Sequence, residues 1–70
     1  MRQQQRIPAQ GTPEEIAERI ARNEADAARL RADIPKEADF DLKNMLRENL
    51  GSAERVLYDL RRGIEPERFN

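Results

Sequence analysis

The 70-residue sequence contains no cysteine and no histidine. These absences exclude disulfide staples, Cys- or His-ligated zinc and haem, thiol nucleophiles, and every acid/base arrangement that needs an imidazole. Tryptophan is missing too, and aromatic residues make up only 4% of the chain. No apolar run exceeds the three residues Val56, Leu57 and Tyr58, too few for a membrane span or the hydrophobic segment of a signal peptide. Charge of one sign is also lacking. Thirteen basic and fourteen acidic residues leave a net charge of −1, which supplies no global field for nucleic acid or an anionic membrane. The expectation is a cytoplasmic protein with no cofactor and no membrane contact.

Large apolar side chains are scarce. Leaving out alanine and Met1, there are sixteen: five Ile, six Leu, Val56, Met45, Phe40, Phe69 and Tyr58. A single core in a chain of this size rarely supplies more than about 3 to 5 kcal/mol, and natural chains so small add disulfides, a metal or association with another chain. Association is what the composition leaves. Eleven of the thirteen basic residues are arginine, which reads as a compositional bias rather than a phosphate-binding signature.

Residues 1–11 carry one sizeable apolar residue, Ile7, and read as a flexible tail. Thr12, Pro13, Glu14 and Glu15 then form a helix start, with Thr12 as N-cap, Pro13 at the first helical position and Glu15 placed to close a capping box. The spacing predicts helix 1 over about 13–33, ended by Pro35, which disfavours helical geometry at Ile34. Glu15 with Arg19 and Glu18 with Arg22 stand at i,i+4 spacing on its outer face. A short connection from Ile34 to Asp39 makes the next helix antiparallel. Helix 2 is predicted over about 38–62, because Gly63, Ile64 and Pro66 have the form of a Schellman stop, leaving 65–70 as a C-terminal tail. Gly51 and Ser52 interrupt it, yet the series Leu42, Leu46, Leu50, Ala53, Leu57, Leu60, Ile64 keeps one phase across them, which favours one continuous helix.

The two helices differ in the width of their apolar faces. In helix 1, Ile16, Ile20, Asn23, Ala27, Leu30 and Ile34 alternate in the heptad manner, and the large side chains span only about 80° on a helical wheel. Ala17, Ala21, Ala28 and Ala32 flank this seam and read as helix-favouring filler. In helix 2 the apolar arc is about 140° wide. Helix 1 is too narrow to cover it, so a shoulder made of Leu46, Leu50, Leu57 and Ile64, with Tyr58 beside it, is expected to meet another chain. The expected fold is therefore all-α: an antiparallel helical hairpin that dimerises into a two-fold symmetric four-helix bundle.

Folding the hairpin about its loop pairs residues whose numbers sum to about 72, which sets Asn23 opposite Asn49. Two facing asparagines satisfy one another and penalise slipped registers, so the pair is expected to form a register-setting polar layer. Phe40 and Tyr58 fall off the apolar arc; Phe40 is expected to cover the loop, while Tyr58 either anchors a partner or packs on a tail.

Catalysis finds little support. The carboxylates all sit among Arg and Lys, as on a solvated face. Asp39 and Asp41 have DxD spacing without the remaining ligands of a calcium loop. There is no phosphate-cradling glycine motif and no Glu-x-x-His of a di-iron bundle. The expected function is that of a non-enzymatic regulatory or interaction protein, such as an adaptor, assembly factor or inhibitor, whose partner is a second copy or a larger protein. The alternative is RNA or DNA binding through Arg47, Arg55 and Arg62 on the outer face of helix 2. In outline, though in no residue string, the expected architecture is similar to small helical-hairpin dimers that bind paired RNA loops. Glu48, Glu54 and Asp59 interleave with those arginines and weaken that alternative.

Overall fold

The computed structural model describes residues 7–66. Two helices, α1 (Pro13–Asp33) and α2 (Phe40–Arg61), are joined through a 3-10 turn at Ile34–Lys36, and no strand occurs among the described residues. Phe69 and Met1 to Arg6 lie outside them.

The helix ends follow from local chemistry. The Thr12 hydroxyl accepts from the Glu15 amide at 3.1 Å, and the Glu15 carboxylate accepts from the Thr12 amide at 2.8 Å. Gly11 leads into this capping box at φ 105°, where an added Cβ would stand 2.9 Å from Glu15 Oε1. Two orphan amides are thereby satisfied, and Pro13 needs no partner for an N–H it lacks. At the far end Ile34 keeps right-handed helical backbone (φ −54°, ψ −48°), although a proline follows. The chain continues there as a 3-10 turn with Pro35 in its first positions, where no donor is required. Asp39 caps α2, its carboxylate accepting from the Leu42 amide at 3.1 Å, which is the role its DxD spacing serves. α2 closes in a Schellman motif: the Ile64 amide donates to the Asp59 carbonyl, the Gly63 amide donates to the Leu60 carbonyl, and Gly63 takes φ 76°.

Gly51 lies inside a helix that runs unbroken on both sides of it, and a Cβ there would meet nothing within 4 Å. Gly51→Ala is therefore expected to stabilise the chain by about 0.5 to 1 kcal/mol, read from a thermal or urea transition. A loss of stability would mean that the helix is broken in solution.

The helices run antiparallel, but in a register other than the one the short loop suggests. Cross-helix ion pairs join Arg31 to Glu54 at 2.8 Å and Arg61 to Glu24. Beyond the end of α2, Arg19 meets Glu65 at 2.8 Å. The paired numbers sum to 84 or 85, not 72. The residue facing a given point on α1 thus lies about twelve positions further along α2, roughly 18 Å at 1.5 Å per residue. The cause is the connection. After the 3-10 turn, Glu37 and Asp39 are extended, and the segment advances along α2 instead of reversing tightly. As a result α1 covers the C-terminal half of α2, and the N-terminal half projects past it.

The core is small: Ala27, Ala53, Leu57 and Leu60 are buried, with Ile20 and Leu50 packed against the first three. Two alanines at the crossing let the helix backbones come close. The molecule measures 39 × 35 × 17 Å, and its shortest dimension is little more than one helix with side chains, about 10 to 12 Å. Two helices in one layer leave each with an unpacked side.

Residues 7–11, expected as a tail without means of ordering by burial, are held instead by backbone pairing. The Ala9 amide donates to the Gly63 carbonyl at 2.9 Å, the Glu65 amide donates to the Ile7 carbonyl at 2.7 Å, and Pro8 bridges Ile64. Arg19 locks this clasp with two bonds to the Glu65 carboxylate, at 3.0 and 2.8 Å, and a third at 3.3 Å to the Gln10 carbonyl. The Glu65 hydrogen bonds raise the Arg19 pKa above its ordinary value; partial burial opposes this and the Glu65 charge adds to it. A raised pKa stabilises the fold wherever the arginine stays charged, so this contribution is lost only in strongly alkaline solution. Arg19→Met is expected to cost about 1 kcal/mol and to speed hydrogen exchange at the Ala9 and Glu65 amides, with the helix interiors unaffected.

The two predicted intrahelical pairs, Glu15 with Arg19 and Glu18 with Arg22, do not form. Glu15 is engaged in the capping box and Arg19 in the clasp, and the ion pair within α1 is Asp26 with Arg29 at 2.9 Å.

Candidate functional site

The predicted shoulder of α2 is divided between the inside and the outside of the hairpin. Leu57 is 4% exposed and belongs to the intrachain core, where it meets Ala27 and Ala53. Leu50 is half-buried against the same cluster, and Ile64 is half-buried beside Pro8 in the clasp. The shifted register explains this, since it brings α1 over the C-terminal half of α2. Tyr58 does stand free, and the Arg62 guanidinium lies 4.9 Å above its ring. That stacking is worth about 0.5 to 1 kcal/mol at an exposed site.

Asn23 and Asn49 are not brought together. Asn23 is half-buried and turns back on its own helix, its Nδ2 donating to the Arg19 carbonyl at 2.9 Å. Asn49 is exposed, and no hydrogen bond joins the two amides. The offset of roughly 18 Å along α2 separates them. Phe40 is 71% exposed and does not shield the connection.

What the hairpin leaves open is the N-terminal half of α2. Leu42 is 48% and Met45 56% exposed, and they share one face with half-buried Leu46 and exposed Asn49. On a helical wheel the four span about 100°, the width of a core-facing stripe. Charges edge the stripe with opposite signs: Asp41 and Glu48 on one side, Lys43 and Arg47 on the other. None of these four is joined in an ion pair among the described residues, whereas Glu54 and Arg61 in the covered half are both bonded to α1. Sequence reasoning passed over Leu42 and Met45 because the symmetric register put them against α1.

A second concavity lies between the helices, floored by Ala27 and Leu57 and rimmed by the Arg31–Glu54 and Arg61–Glu24 pairs. Tyr58 and Arg62 complete its wall, and with the other rim charges paired, Arg62, stacked on Tyr58, is the one lining charge outside an ion pair among the described residues. Among the described residues no group of three or more Asp and Glu side chains is placed to hold a metal ion. Nor is any helix there long and apolar enough to cross a membrane. Arg47, Arg55 and Arg62, the alternative nucleic-acid contacts, are all exposed; Arg62 is engaged by Tyr58. No protein-family model, curated protein or solved structure matches the chain.

Proposed function

We propose that the protein is a small, non-catalytic protein–protein interaction module that presents the N-terminal half of α2, through Leu42, Met45 and Leu46, to a protein partner. One observation carries the reading: Leu42 and Met45 are exposed beside half-buried Leu46 on one face while α1 is spent on the other half of the helix. Contiguous apolar surface on so small a chain marks an association site. Completion of a four-helix bundle by further helices is the arrangement that would bury it. Adaptor, assembly and inhibitory roles all use such a surface.

Leu42→Glu with Met45→Glu tests the reading. Both residues lie outside the intrachain core, so the double variant should keep its helical circular dichroism. It should also lose whatever the unmutated chain binds, whether another copy or a different protein retained from the native cell. If the variant keeps the same mass in solution and retains the same proteins, the surface is not the interaction site.

A further inference from the structure

We propose that the occupant of the open face is a second copy of this chain, packed with its α2 parallel and in register, so that Asn49 meets its own copy on the two-fold axis. The inference rests on the reading of that face as an interaction surface and adds the partner and its direction.

The asparagine supplies the first argument. Asn49 is exposed inside an apolar stripe and makes no side-chain hydrogen bond among the described residues. In an isologous pair, residues on the axis meet their own copies. Two Asn49 amides placed there donate to and accept from one another, the device by which a parallel helix pair fixes register and limits itself to two strands.

Direction follows from the edge charges. When two identical helices pack face to face and parallel, each edge of one lies beside the opposite edge of the other. Asp41 and Glu48 of each copy then border Lys43 and Arg47 of the other, on both sides of the seam. An antiparallel pair would set acid beside acid and base beside base, which is repulsive. No ion pair within the chain competes for these four charges among the described residues.

The buried residues Ala53, Leu57 and Leu60 centre only about 40° around the wheel from the open stripe, so the parallel pair packs over residues 41–50 and splays beyond them, where α1 occupies the seam.

Because the chain has no cysteine, single introduced cysteines report the geometry without background. Leu42→Cys and Asn49→Cys, with Glu18→Cys on the exposed side of α1 as control, are equilibrated in a glutathione redox buffer and scored for disulfide-linked dimer. The unmutated chain is sedimented in parallel. The proposal expects a dimer mass, cross-linking at both 42 and 49, and none at 18. Residues two turns apart are separated by about 10.5 Å, so an antiparallel pair centred on one would hold the other two cysteines about 21 Å apart. That is far beyond the Cα separation of about 7 Å that a disulfide tolerates. Cross-linking at only one of the two sites would overturn the parallel register. Cross-linking at neither site with a dimer mass would likewise overturn the parallel register, and a monomer mass would overturn self-association. The module reading is decided separately, by what Leu42→Glu with Met45→Glu fails to retain.

Discussion

Leu57→Ala is expected to remove about 2 to 5 kcal/mol, enough to leave the isolated chain largely unfolded. Leu57 is 4% exposed and belongs to a core with only three other buried residues among the described ones. A core of this size supplies about 3 to 5 kcal/mol in all, so one cavity removes most of it. In urea titrations followed by circular dichroism the cooperative transition should shift far toward zero denaturant or disappear. Leu42→Ala is the informative contrast. Being 48% exposed and beyond the reach of α1, it should cost less than about 1 kcal/mol in dilute solution. Equal losses at the two positions would mean that both halves of α2 are covered.

Ala27→Leu is expected to destabilise by about 1 to 3 kcal/mol, although leucine is nearly as good a helix former as alanine. Ala27 is 1% exposed and stands where α1 meets Ala53 and Leu57. A longer side chain must push the helices apart, and the Arg31–Glu54 and Arg61–Glu24 pairs would then be stretched. Its neighbour Ala28 is exposed, so Ala28→Leu should stay within about 0.5 kcal/mol of the unmutated chain. If the two substitutions behave alike in chemical denaturation, Ala27 is helix filler like the flanking alanines and the close crossing is absent.

The parts of the fold set by local chemistry were legible in the residues. Thr12, Pro13 and Glu15 announce the start of α1, Gly63 and Ile64 announce the end of α2, and the unbroken apolar phase carries α2 through Gly51. The seam of α1 is also where the heptad alternation puts it, with Ala27 buried and Ile20 packed on the core. The register was less accessible, because a six-residue connection reverses the chain either tightly or after an extended advance. Its apolar spacing does not distinguish the two. Charge does: the symmetric register sets Glu24 opposite Glu48, whereas the observed one pairs Glu24 with Arg61 and Arg31 with Glu54. The small residues agree, since Ala27 and Ala53 meet at the crossing.

Everything that the register controls moved with it. Leu57 turned from shoulder to core, Asn23 lost Asn49 as a partner, and Leu42 and Met45 became the open face. The clasp of residues 7–9 on 63–65 had no signal in hydrophobic patterning, because backbone amides and carbonyls hold it and every sequence carries those.

The division of α2 into a covered and an open half is tested most directly by residue-resolved amide hydrogen exchange across a range of protein concentrations. The account predicts that amides of residues 53–60 are protected at every concentration, because α1 covers them within one chain. Amides of residues 44–50 should exchange faster in dilute solution and gain protection as concentration rises and the open face is occupied by a second copy. Equal protection of both halves, independent of concentration, would contradict it.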